Sequence, residues 1–124
     1  MGGEVTAEGK LDFRINEKEV IGKGDGGKVV TAICLNKKLP TDVVCKKIII
    51  SKVAKNSVWS IDEIEKRLER EITFMKAVLN KTYFVQYYDS LRVDKDTCLI
   101  FMEWIYGPNL QTLYEYKLKP IAGS

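Results

Sequence analysis

The stretch Ile21-Gly22-Lys23-Gly24-Asp25-Gly26-Gly27-Lys28-Val29 runs directly into Val30-Thr31-Ala32-Ile33. It is a glycine turn flanked by β-branched residues, so a strand enters it and a strand leaves it. Glycine lets a backbone come close to a bulky group such as a phosphate tail. One hairpin later, Lys46 stands inside the apolar run Val43-Val44-Cys45-Lys46-Lys47-Ile48. A close-approaching backbone followed by a fixed cation is one way for a chain to hold the phosphates of a nucleotide.

Three nucleotide-binding arrangements use glycine turns. A dinucleotide-binding turn must open a helix, whose N-terminus meets the pyrophosphate. Here strand sequence follows instead. A P-loop requires a hydroxyl residue after its lysine; Val29 occupies that position, and again no helix follows. A glycine-rich flap between two strands remains. On the glycines alone, a plain hairpin with no ligand stands level with it.

The rest of the chain reads as an antiparallel α+β unit with five strands and one main helix. Phe13 and Ile15 alternate, and Val20-Ile21 lead into the glycines. Val29 to Leu35 and Val43 to Ile50 form the next strands around a turn at Asn36-Lys37-Lys38-Leu39-Pro40-Thr41-Asp42. Ser60-Ile61-Asp62-Glu63 is a capping box, in which serine and glutamate satisfy each other's free backbone NH groups. Ile61, Ile64, Leu68, Ile72, Met75 and Leu79 then recur at helical spacing, and the helix is expected to end near Asn80-Lys81. Phe84 to Val93 and Thr97 to Trp104 make two further strands around Asp94-Lys95-Asp96. Gly107-Pro108 breaks the chain, and Asn109 can cap a short helix from Leu110 to Tyr116. Residues 1–11 read as an N-terminal extension, residues 12–116 as the folded unit and residues 117–124 as a tail.

The 124 residues suffice for one small core. A net charge of +3, with lysines spread along the chain, gives no argument for nucleic acid. The chain has no histidine, which removes histidine bases and nearly all zinc sites; no metal site is expected. Cys34, Cys45 and Cys98 lie in apolar runs without a CxxC neighbour, as reduced, buried thiols of a cytoplasmic protein do. No apolar stretch reaches membrane-spanning length and no secretory leader is present. Met1-Gly2-Gly3-Glu4-Val5-Thr6 fits the loose myristoylation pattern, but no basic segment follows to supply a second membrane signal, so no membrane partner is expected.

The order and spacing of these pieces carry a resemblance. Gly22-x-Gly24-x-x-Gly27-x-Val29, then Val43-Val44-Cys45-Lys46, then a helical glutamate, then Leu99-Ile100-Phe101-Met102-Glu103-Trp104 before Gly107, resembles the N-terminal lobe of eukaryotic protein kinases of the Ser/Thr type. Tyr87 to Ser90 and the strand containing Met102 look most like the NIMA-related kinases. The resemblance implies that Ile21, Gly22, Gly24, Gly27, Val29 and Val44 surround ATP and that Lys46 reaches its α- and β-phosphates. Glu71 is implied as the partner of Lys46; its rival Glu69, two residues away, faces well off that side of a helix. Met102 takes the position behind the adenine. Glu103 and Ile105 offer backbone groups to the adenine edge, and Asn109 stands where an acidic ribose contact is usual. Met75 and Tyr87 fall in a hydrophobic spine. Gly26 replaces an aromatic residue at the loop tip, implying a looser tip that covers the phosphates less well.

Phosphoryl transfer further requires a residue to orient the attacking hydroxyl and groups to hold magnesium. The His-Arg-Asp and Asp-Phe-Gly signatures are absent, so the second lobe, its magnesium ligands and the protein substrate are not represented. The expectation is an ATP-binding lobe that transfers no phosphate by itself. The alternative is a non-catalytic, pseudokinase-type interaction module; a third is an unrelated β-rich domain with a fortuitous glycine turn. In the favoured reading the lower face, with Met75, Tyr87, Leu110 and Leu113, is under-covered and meets a C-terminal lobe or a second copy.

Overall fold

A computed structural model describes residues 4–24, 26–77 and 86–104. Its elements are β1 (Glu4–Glu8), β2 (Asp12–Gly24), β3 (Gly27–Cys34), β4 (Val43–Ile49), α1 (Ile50–Lys55), α2 (Ile61–Ala77), β5 (Tyr87–Arg92) and β6 (Thr97–Glu103). The strands form one antiparallel sheet in the order β1-β2-β3-β4-β6-β5. The architecture is α+β, as the alternation of β-branched residues and the capped helix lead one to expect.

The five-strand expectation is corrected to six. β1 arises from the segment read as an extension. It pairs with Asp12–Asn16 of β2 across a turn at Gly9-Lys10 and buries Ala7. A second correction is α1, which begins at Ile50 where a strand residue was expected. Ile50 and Val53 lie three residues apart, so one helical turn buries both; a strand would have turned them to opposite faces.

The α2 capping box forms as anticipated. The Glu63 NH donates to Ser60 Oγ at 3.2 Å, and the Ser60 NH donates to Glu63 Oε1 at 3.4 Å. Asp62 and Glu63 crowd the positive end of the helix, and Lys76 sits in its last turn. Ile64, Leu68 and Met75 are buried and Ile72 packs beside them, whereas Ile61 is exposed. Leu79, the expected helix end at Asn80-Lys81 and the start of the strand at Phe84 lie outside the described residues, as do the helix from Leu110 to Tyr116 and the tail.

The core has two halves, one on each face of the sheet. Against α1 and α2 pack Val29, Val44, Ile48, Ile100 and Met102. On the opposite face, Phe13, Ile15, Val30, Cys45, Leu99 and Phe101 pack against one another, with no helix over them among the described residues. That face encloses itself because the sheet curls towards a barrel. Phe13 of β2 stacks on Phe101 of β6 with centroids 3.9 Å apart, although β3 and β4 lie between those strands. The Leu11 NH, in the turn between β1 and β2, donates to Asp89 Oδ2 of β5 at 3.2 Å, joining the two ends of the curl. Thr41 Oγ1 and the Tyr88 hydroxyl, 2.6 Å apart, join the β3–β4 turn to the same end.

Met75 and Tyr87 are only 6% and 8% exposed, so the expectation of an under-covered face is corrected for these two residues. Met75 lies inside the helix–sheet core, and Tyr87 has Lys76 Nζ 5.7 Å from its ring centre and Ser90 Oγ 2.9 Å from its hydroxyl. Leu110 and Leu113 lie outside the described residues. No helix among the described residues is long and apolar enough to cross a membrane.

Candidate functional site

Cross-strand pairing sets the site out in rows. Val29 pairs with Lys46, and Lys46 with Ile100. The neighbouring row runs Thr31, Val44, Met102, Tyr87. On the other side, Gly27 pairs with Ile48 and Ile48 with Cys98. Residues paired across a sheet share a face, as do alternate residues along a strand. Lys46 therefore stands on the helix-covered face among Val29, Val44, Ile48 and Ile100, all buried.

Only 6% of Lys46 is exposed. Burial pulls its pKa down to about 7, because a desolvated ammonium is disfavoured, and the Glu71 carboxylate opposes that fall. Glu71 comes from α2, between Leu68 and Met75, and is half-buried. Burial raises its pKa and Lys46 counteracts the rise. Each group thus favours the charged form of the other. Lys46 and Glu71, the two residues singled out as a pair, act on each other's charge, while Glu69 is exposed.

The remaining expected residues fall as follows. Ile21 is partly buried against the helix-side core, and Gly22 pairs with Val29. Val29, Val44 and Met102 are buried on the face that carries Lys46. The Glu103 NH donates to the Gln86 carbonyl at 2.9 Å, and the Glu103 carboxylate accepts from the Gln86 NH at 3.2 Å. Ile105 and Asn109 lie outside the described residues.

The glycine turn differs from the looser tip expected from Gly26. Irregular pairing in β2 between Asn16 and Gly22 bends the strand before it enters the turn. Gly26 is buried, and its carbonyl accepts from the Ile49 NH at 2.8 Å. A Cβ on Gly26 would stand 2.0 Å from Val53 Cγ2 and 3.2 Å from Val53 Cα. A Cβ on Gly27 would stand 2.0 Å from the Lys47 carbonyl oxygen. Both glycines are required by close packing. Gly24 has nothing within 4 Å of its would-be Cβ, and it is the open member of the turn. We therefore expect Gly27→Ala to destabilise the protein by roughly 1–3 kcal/mol through overpacking, and Gly24→Ala to lie within about 0.5 kcal/mol of wild type. Paired urea titrations check this, and equal effects at the two positions would contradict it.

Other charges cluster beyond the turn on the opposite face. Lys47 Nζ lies 2.7 Å from Glu17 Oε1 and Lys28 Nζ lies 3.9 Å from it. The Lys47 hydrogen bond holds the Glu17 carboxyl below its ordinary range. A cavity of about 280 Å³ opens further along the strand face that carries Val29, lined among others by Arg14, Glu19, Thr31, Asp42 and Trp104. The Thr31 hydroxyl donates to Glu19 Oε1 at 2.8 Å across it. Sequence reasoning missed this cavity and the role of Val53. Asn16 and Glu19 of its wall lie in or beside the stretch of β2 where the pairing is irregular, a feature with no sequence marker, whereas the Ile50/Val53 spacing was a usable signal for α1.

The three cysteines are unpaired by disulfides. Burial raises the Cys45 thiol strongly and the Cys98 thiol to about 11, so both stay protonated at neutral pH; Cys34 is half-buried. Among the described residues no group of three or more His, Cys, Asp or Glu side chains could hold a metal ion. Compared with protein-family models and with curated proteins, the chain finds no match in either.

Proposed function

We propose that this chain is the nucleotide-binding lobe of a protein kinase of the Ser/Thr type, holding ATP between the glycine turn and the β4 lysine. The observation that carries the reading is Lys46: a lysine buried among Val29, Val44, Ile48 and Ile100, whose charge is favoured by the Glu71 carboxylate of a separate helix. A buried ammonium is costly unless something draws on its charge. A triphosphate supplies that need, and Glu71 keeps the amine positioned.

Val29 and Val44 flank Lys46 on one face and the turn offers an open backbone at Gly24; because those three side chains are buried in the free chain, a nucleotide between the turn and β4 requires that face to open. Magnesium would arrive with the phosphates and be held by groups of a second lobe, which would also orient the attacking hydroxyl. ATP supplies the transferable phosphoryl group; what this chain does is bind, orient and neutralise the phosphate tail.

The test is titration of the purified chain with ATP, followed by calorimetry. A charge-assisted hydrogen bond contributes on the order of 1.5–3 kcal/mol, so Lys46→Met should weaken binding roughly 10- to 100-fold. Because the free lysine has a pKa of about 7 and phosphate favours its charged form, wild-type affinity should fall as pH rises from 6 to 9. Binding indifferent to both the substitution and pH, or no binding at millimolar ATP, would overturn the proposal.

A further inference from the structure

We propose that the β5–β6 turn controls the position of the glycine turn through α1, as a latch released at the Ser51–Asp96 pair. The two turns are far apart in sequence; the sheet links them only through β4, where Gly27 pairs with Ile48 and Ile49 with Thr97, and a second series of contacts joins them through α1. Asp96 holds the start of α1 at three points. Its carbonyl accepts from the Ile50 NH at 2.7 Å, its Oδ1 from the Ser51 NH at 2.7 Å and its Oδ2 from the Ser51 hydroxyl at 2.6 Å. Asp96 is itself fixed, because its NH donates to Asp94 Oδ1 at 2.8 Å, as does the NH of Thr97.

From there the contact passes through one turn of helix to Val53, whose side chain is buried against Gly26. At the base of α1 the Ile49 NH holds the Gly26 carbonyl. A residue with any side chain at position 26 would push Val53 and α1 away. Glycine there is what lets α1 close onto the turn. α1 lacks a capping side chain of its own at Ile49, so Asp96 supplies what holds its first turn. Removing that anchor frees α1, and freeing α1 releases the Gly26 carbonyl.

The pair is also sensitive to charge. Ser51 is exposed, and negative charge added at its hydroxyl meets the Asp96 carboxylate directly. Under the nucleotide-binding reading, on which this consequence alone rests, the latch sets how far the flap stands from Lys46.

The experiment is hydrogen exchange on the free, full chain, with no nucleotide present. In Asp96→Ala and in Ser51→Asp, the Ile49 amide should exchange at least tenfold faster than in wild type. The Arg14 and Ile33 amides, at the far end of the β2–β3 pair, should stay unchanged. Coupling is reciprocal, so Gly26→Ala should speed exchange of the Ser51 amide, and Val53→Ala added to it should restore part of the protection. If Asp96→Ala unfolds the protein, Asp96→Asn keeps one acceptor and carries the same expectation at smaller size. Faster exchange within α1 with Ile49 unchanged would overturn the latch, as would a Gly26→Ala variant with wild-type protection at Ser51. Failure of ATP binding would leave this result untouched and would count only against the nucleotide reading.

Discussion

Stability should rise from pH 7 to a maximum near pH 8.5 and then fall, and Lys46→Met should remove the rise. In the unfolded chain a lysine titrates near 10.4, whereas Lys46 in the fold titrates at about 7. Between those values the unfolded state holds a proton that the folded state has shed, so stability increases with pH. The slope approaches about 1.4 kcal/mol per pH unit. Cys45 and Cys98 act in the opposite direction, because both thiols are raised by burial. Once pH passes the ordinary thiol value of about 8.5, the unfolded chain loses protons that the folded chain keeps, and two cysteines outweigh one lysine. Glu71 is also raised, but its contribution falls in the acid range, where stability declines as pH climbs through its titration.

With methionine at position 46 the ammonium burial cost disappears, and at pH 7 the protein should be more stable by roughly 1–3 kcal/mol, in line with the replacement of buried ions by apolar groups of similar volume. The gain should be larger in Lys46→Met/Glu71→Gln, which leaves no carboxylate without its cation. Thermal melts of the three proteins from pH 6 to pH 10 check this. A wild-type profile flat between pH 7 and pH 8.5, or parallel profiles for wild type and Lys46→Met, would contradict the buried-lysine account.

Phe101→Ala and Phe13→Ala should each destabilise the protein by about 3–5 kcal/mol. Both rings are fully buried and stacked on the face that no helix among the described residues covers. Removing one leaves a cavity lined by the other and takes away the contact by which β2 and β6 meet across the curl. Because a small domain has only about 5–15 kcal/mol of stability in total, either change takes a large share. The double substitution should cost less than the sum of the two, by on the order of 1 kcal/mol, since the stacked pair is lost once. Phe74→Ala on the exposed side of α2 is the control and should cost far less. Denaturant midpoints measure all four. Losses near 1 kcal/mol at both core positions would mean that the curl does not depend on this pair.

Much of the fold was legible because its signals are local. The glycine turn between β-branched runs, the Ser60–Glu63 box and the period of Ile64, Leu68 and Met75 each act within a few residues, and β2, β3, β4 and α2 follow from them. β1 was missed because its five residues, Glu4–Glu8, are short and flanked by charge, and only the exposed edge of β2 makes a strand of them. α1 was missed because its six residues, Ile50–Lys55, continue an apolar strand run, so the Ile50/Val53 spacing was passed over, and the group that holds their start, Asp96, is distant in sequence.

The sequence by itself determined which residue types can meet in the candidate site: a lysine in an apolar strand, a glutamate at the edge of a helix's buried face, and glycines between strands. Only the tertiary structure decided their relation. It set Lys46 beside Val29 and Ile100 where the Glu71 charge acts on it, curled the sheet so that Phe13 meets Phe101, and seated Gly26 against Val53. The reason is physical. Periodicity and capping are settled by near neighbours along the chain, whereas desolvation and close packing depend on atoms that distant segments bring together.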